Sequence, residues 1–491
     1  MYVFRHRHYS HRLLSPIIAA FTTLSLMPIV YAVPSIKSPG IPDDVPADIK
    51  QLLNAPALSG CISGIMIADT TDGSIFYARN EDIRLIPASN RKLFTSAAAL
   101  EILGDSFTIP TIVSADAKPD LTGVINGNLY IKGGGDALLS LDNLKQFVVD
   151  LQAAGVKEIS GDIVGDTSLF TDGPYPDGWG VDYLSDDYAA QIAALEVNEG
   201  VIGVNVAPAT AAGAPPLVTL TPSTDYIPVV NTAATIGPDG TTNLLIQRPY
   251  NKNEIDVTGT IKLVDSPQAI NITVDNPALY CATILFQDLT AAGIKVDGKS
   301  ELGVAPASAT KLTEHDSVPL SDYILLMNKP SDNLQAESLV RLLGALKGTG
   351  GSLAAGNIVE NGFYASCGIT PDELVFADGS GVTRLDQVSA HAVVKLLLAM
   401  ASKPDFKAYY DSLPIAGIDG TLKHRMIGTP AAGNVHAKTG TVRYCHCLSG
   451  YVTNKSGHLL AFSILNNNFL CTDDQVNQIQ DAIMNKLVEV K

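Results

Sequence analysis

Apolar positions recur with helical spacing toward both ends of the chain and with strand spacing between them. Near the start, PADIKQLLN places Ile49, Leu52 and Leu53 on one side of a short helix. The run CISGIMIADTTDGSIFYARN holds two β-prone stretches split around Asp72-Gly73, which predicts a hairpin. Leu93, Ala97 and Leu100 then repeat at i, i+4 and i+7, so a helix is expected to run to a C-cap at Gly104. Residues 108–311 change texture: GNLYIKGG, GDIVGDTSLF, GVIGVNVAP, TNLLIQRP and NEIDVTGTIKLV are short runs separated by Gly, Pro, Asn and Asp, and predict β-rich material with few helices. Helical patterning returns in SDNLQAESLVRLLGAL, where Leu334, Leu339, Leu342, Leu343 and Leu346 line one side, and in HAVVKLLLAMAS. LSGYVTNKSGHLLAFSILNN predicts two antiparallel strands, and Val476, Ile479, Ile483 and Leu487 an amphipathic closing helix.

The two ends share a helix-plus-antiparallel-strand character that the middle lacks. One α+β domain built from both ends and carrying a β-rich insertion accounts for this. A chain of 491 residues, 46% apolar, can support two or three such cores. Its first 32 residues open with Arg5, Arg7 and Arg12, continue in a mostly apolar run from Leu13, and end in Val30-Tyr31-Ala32, the form of a cleavable secretory signal. Removing them deletes three arginines and no acid, so the net charge falls from −17 to −20. So negative a protein lacks the basic face that phosphate backbones require, which argues against a nucleic-acid partner. No later stretch approaches the ~18 continuous apolar residues of a spanning helix. Cys445 and Cys447 flank His446, but no further Cys or His stands at a zinc spacing and no HExxH occurs, so no metal is expected.

The chemistry is concentrated in IPASNRKLF. Ser89 and Lys92, at i and i+3, fall on one helical face, where an amine reaches the hydroxyl and acts as its base once it has lost a proton. A helix N-terminus and a second nearby cation both favour that loss. Alone the pattern has little weight, because SATK at residues 308–311 matches it too. That second copy is followed by LTEHDSVPL, which has no apolar helical stripe. Two further motifs follow in order: Ser331-Asp332-Asn333, opening a later helix, and Lys438-Thr439-Gly440, leading into a β-prone run. Lys455-Ser456-Gly457 imitates the third but sits in the turn of the last hairpin. The set S-x-x-K, S-D-N and K-T-G belongs to enzymes that form an acyl-serine with a D-alanyl peptide or a β-lactam.

With these motifs, and with LYIKGGGDALL, GDIVGDTSLF, DGSGVTR and LPIAGIDGTLKHRM, the chain resembles the D-alanyl-D-alanine carboxypeptidase/endopeptidases of the low-molecular-mass, class C penicillin-binding proteins. Separations of 242 residues from Ser89 to Ser331 and 107 from there to Lys438 are similar to that family's. The resemblance implies a serine β-lactamase/transpeptidase-like domain at 33–104 and 311–491, an inserted domain II at 105–184 and 268–310, and an inserted β-rich domain III at 185–267. It implies an exported enzyme, periplasmic and either soluble or loosely membrane-associated, that acts on peptidoglycan stem peptides without a cofactor and is blocked covalently by β-lactams. Ser89 is then the nucleophile and Lys92 its proton acceptor; Ser331 relays a proton to the leaving amine, and Asn333 holds Lys92 and the substrate amide. Lys438 and Thr439 bind the terminal carboxylate, and Gly440 precedes Thr441, whose N–H joins that of Ser89 in an oxyanion hole. Asp166, Phe170 and Arg384 occupy places where relatives approach the stem peptide's diamino acid, while Arg443 and the RYCHC run depart from their usual small polar residues.

Two rivals remain at this level. A β-lactamase shares fold and acylation, but in the subclass with S-D-N a loop glutamate positions the hydrolytic water, and no E-x-x-L-N segment is present. A non-catalytic wall-binding protein has no reason to keep all of these polar residues together.

Overall fold

The run at residues 62–69 is the second strand of a five-stranded antiparallel sheet. In the computed structural model, which describes residues 44–490, its order is Ile75–Arg79, Ile62–Asp69, Leu459–Asn467, Cys445–Thr453 and His436–Val442. The proposed signal segment at 1–32 lies outside the described residues. Successive side chains of a strand point to opposite faces, and both faces of this sheet are buried. Ile65 and Ile67 pack on one side with Leu460, Phe462 and Ile464, under helices Asp44–Leu53 and Asp473–Glu489. Met66 and Ala68 pack on the other with Ala461, Leu465 and Tyr451, under a layer of helices. The two ends of the chain thus meet in one sheet, as their shared patterning predicts.

Within the helical layer, Arg91–Leu103 is buried around its whole circumference from Arg91 to Leu100. Sequence periodicity registers only the stripe of Leu93, Ala97 and Leu100. The alanines between, Ala98 and Ala99, let neighbouring helices close over the remaining sides. Gly104 ends the helix with φ 89° and donates its N–H to the Leu100 carbonyl. Asn333–Lys347 is capped by Asp332, whose side chain accepts from the Gln335 N–H at 2.7 Å.

The insertion has its own core. A five-stranded mixed sheet runs Ser300–Leu302, Ile163–Asp166, Leu129–Lys132, Pro110–Ala115 and Thr310–Asp316. Since the first and last of its strands in the chain, Pro110–Ala115 and Thr310–Asp316, pair antiparallel, the chain leaves and re-enters the catalytic part side by side. Gln268–Thr273 likewise pairs with Val201–Ala207. Two helices, Leu141–Ala153 and Pro277–Ala291, pack into this region. The first buries Leu144, Phe147, Val148 and Leu151, a helical spacing present in the sequence among the strand-like runs.

Candidate active site

Ser89 sits in a single 3₁₀ turn, Ala88–Asn90, that runs directly into Arg91–Leu103. Ala88 is held at φ 47° and Ser331 at φ 73°, left-handed conformations that cost free energy for residues with a Cβ and persist only where surrounding contacts enforce them. The enforcing contacts are visible. Gly381 faces the Ala88 carbonyl so closely that no side chain fits there, and a Cβ on Gly440 would stand 2.5 Å from the Pro87 carbonyl oxygen. Asn90 donates to the Lys438 carbonyl at 2.8 Å and accepts from the Ser449 hydroxyl at 2.7 Å, fastening the turn to strand His436–Val442.

This fastening brings the three motifs together. Lys92 Nζ lies 3.1 Å from Ser89 Oγ, 2.6 Å from Asn333 Oδ1 and 2.8 Å from the Ser380 carbonyl. Lys438 Nζ donates to Ser331 Oγ at 2.8 Å and to the Thr439 carbonyl at 3.0 Å. Both lysines are fully buried. Burial, the largest influence, lowers the proton affinity of Lys92; Asp378, Asp332 and Glu337 oppose it and Arg91 assists it, so that the amine titrates at about 8. Lys438 is pushed well below the ordinary lysine range by burial and then by the charge of Lys92. An amine so tuned is neutral in roughly one molecule in ten at pH 7, enough to act as a base.

A cleft of about 360 Å³ opens over these groups, lined by Ser89, Ser331, Asn333, Gly381, Val382, Thr441, Val442, Arg443, Tyr183 and Tyr188. Tyr183 and Tyr188 come from the insertion, and the Tyr188 carbonyl accepts from Asn333 Nδ2 at 2.7 Å. Thr439 Oγ1 pairs with Thr421 Oγ1 at 2.7 Å. Arg384 donates at 2.7 Å to the carbonyl of Arg443, a lining residue. Of the expected substrate-binding residues, Thr441 lines this cleft and Thr439, Gly440, Arg384, Asp166 and Phe170 do not. Asp166 is fully buried, its oxygens accepting from the Ser168 and Ala305 amides at 2.9 Å each. Phe170 packs against Gly135 and bridges to Gly351. The SATK copy lies at the start of strand Thr310–Asp316 with Ser308 exposed, and Lys455-Ser456-Gly457 occupies an exposed turn. All six cysteines are thiols, with Cys445 and Cys447 buried, and no cluster with a metal's ligand arrangement occurs among the described residues.

Asn90, Tyr188, Ser380 and Glu337 were not singled out from the sequence. Glu337 left one trace there, a carboxylate four residues before Arg341 inside a leucine-rich helix. The others act through a backbone carbonyl or a tertiary contact, for which residue type carries no signal.

The site and fold together define an acyl-serine hydrolase of the penicillin-binding type. Residues 45–490 match the D-Ala-D-Ala carboxypeptidase 3 (S13) family, and the chain belongs to it. It is 36% identical over 492 residues, 96% of this chain and 90% of the relative, to a D-alanyl-D-alanine carboxypeptidase of Actinomadura sp.. To the D-alanyl-D-alanine carboxypeptidase DacB of Haemophilus influenzae it is 28% identical over 416 residues, covering 81% of this chain and 84% of the relative. The crystal structure of penicillin binding protein 4 from that organism superposes with a TM-score of 0.80 at 26% identity, covering 90% of this chain and 99% of the other. The same Haemophilus protein complexed with a β-lactam aligns with a TM-score of 0.74.

Proposed function

We propose that this protein hydrolyses D-alanyl bonds of peptidoglycan stem peptides, releasing D-alanine at chain ends and the amine of the second peptide in cross-links, through an acyl intermediate on Ser89. One observation carries the reading: a single cleft holds a serine hydroxyl 3.1 Å from a lysine amine and a second serine hydroxyl 2.8 Å from another. Neutral Lys92 takes the Ser89 proton as Oγ attacks the penultimate D-alanine carbonyl. The N–H groups of Ser89 and Thr441 receive the oxyanion. Ser331, bonded to Lys438, passes a proton to the departing amine; Lys438 and Thr439 hold the terminal carboxylate. Water then hydrolyses the ester. β-Lactams enter the same route and stop at the acyl-serine.

In this reading Arg384 contacts the stem peptide. Asp166 and Phe170 act by shaping the inserted wall rather than by touching substrate. Residues 1–32 direct export and the enzyme works in the periplasm, soluble or loosely membrane-associated. The catalytic unit is built from both ends of the chain and carries a two-part insertion. Among the described residues no helix is long and apolar enough to cross a membrane.

The test is intact-mass detection of penicilloylation, followed by D-alanine release from uncross-linked muropeptides and the appearance of monomers from cross-linked ones. A single adduct on Ser89 together with D-alanine release supports the proposal. Rapid turnover of penicillin without D-alanine release favours a β-lactamase, and failure to form any adduct ends the enzymatic reading.

A further inference from the structure

The Ser380 carbonyl touches Lys92, yet Ser380 belongs to none of the three motifs that carry the reaction. What aims it lies behind the cleft. Glu337 is fully buried, and its Oε1 accepts from both the Gly379 and Ser380 amides at 2.9 Å. Its Oε2 accepts from Arg341 at 3.0 Å. Asp378, also buried, accepts from Gly381 at 2.6 Å, Ser380 at 3.1 Å and Thr383 at 2.7 Å. Every partner of Glu337 is a donor, which suits a carboxylate and not its protonated form. Two carboxylates thus gather the amides of one tight loop. With those amides drawn to one side, the Ser380 carbonyl is left facing Lys92 Nζ at 2.8 Å.

The inserted region braces this loop. Trp179 Nε1 donates to Asp378 Oδ2 at 3.1 Å, and Asp172 receives Arg341 at 2.9 Å.

We propose that Glu337, which touches no substrate, is a positioning residue for acyl transfer: through the Gly379 and Ser380 amides it aims the Ser380 carbonyl at Lys92, and it keeps a negative charge behind that amine. The inference rests on Lys92 acting as the proton acceptor. Charged groups facing Lys92 are Asp378, Asp332 and Glu337, opposed by Arg91. Three carboxylates against one cation hold the amine's proton affinity up against burial. Removing one of the three lowers it.

Two substitutions separate geometry from charge. Glu337→Gln keeps an oxygen for the amides but loses the charge. Glu337→Asp keeps the charge but withdraws it from the amides by one methylene. The measurement is the rate of fluorescent-penicillin acylation against pH, with circular dichroism and the emission of Trp179, the chain's single tryptophan, as controls for fold. In Glu337→Gln the midpoint of the rate–pH curve moves down by about 0.5 unit or more, with the plateau near wild type. In Glu337→Asp the midpoint stays and the plateau falls by about tenfold, because the base is misaimed. An unmoved or raised midpoint in Glu337→Gln overturns the proposal, as does a wild-type plateau in Glu337→Asp. If the Gln variant does not fold, the Asp variant decides alone. Wild-type protein that labels at a residue other than Ser89 breaks the functional reading instead, so the two failures are distinguishable.

Discussion

Gly440→Ala tests the joint on which the site depends. Its Cβ would stand 2.5 Å from the Pro87 carbonyl oxygen, 3.2 Å from the Ala88 Cβ and 3.2 Å from the Asn90 nitrogen. All three atoms belong to the turn that carries Ser89, and two of them are backbone, so no flexible side chain can swing away. Restoring an ordinary contact of about 3.4 Å means separating strand and turn by about 0.9 Å. That separation acts directly on the distances from Ser89 to Lys438 and Thr441. A misplacement of about 1 Å in a reacting constellation costs ~100-fold in rate, or about 2.7 kcal/mol of barrier. Gly440 is not among the glycines with positive φ, so alanine suffers no backbone conflict and the loss is one of fit alone. Acylation by a fluorescent penicillin is the assay, followed to completion. The expected result is full labelling of Ser89 at a rate about two orders of magnitude below wild type. Labelling at the wild-type rate would refute the claim that glycine is needed for this approach.

Other expectations concern the same cleft. Ser89→Ala keeps the melting transition and abolishes covalent labelling by intact mass. Because Lys92 titrates at about 8 and only its neutral form accepts a proton, acylation rises with pH, by about tenfold between pH 7 and pH 9; a flat profile across that range removes Lys92 as the base. Asn90→Ala deletes two buried hydrogen bonds, to Lys438 and from Ser449, and is expected to cost about 1–3 kcal/mol in chemical denaturation. Glu360→Leu strips the buried Arg91 guanidinium of its 2.6 Å partner and is expected to cost about 3–5 kcal/mol; a loss below 1 kcal/mol contradicts the pairing.

Several elements were legible because one chain segment contains their cause. The hairpin around Asp72-Gly73 carries its own turn residues, with Gly73 at φ 73°. Helix Asp473–Glu489 has its apolar stripe, and its Thr472–Gln475 capping box is local too. The S-x-x-K pair could be read as touching because three residues on a helical turn fix the distance. Helix Leu141–Ala153 was equally local and was lost only to the dominant strand texture around it.

Sequence by itself determined which polar groups this protein has to work with and the order in which they come, since the type of a side chain and its spacing along a helix or strand are local properties. Tertiary structure decided that Ser89 meets Ser331, 242 residues away, in one cleft, and that Lys438, further still along the chain, bonds to Ser331 there. It also recruited groups with no sequence mark: the Ser380 carbonyl, the Tyr188 carbonyl and the buried carboxylate of Glu337. The physical reason is that every residue owns a carbonyl and an amide, so only packing settles which of them face the reacting lysine. The same packing removes water from Lys92, and without that desolvation an ordinary lysine stays protonated at neutral pH and cannot serve as a base.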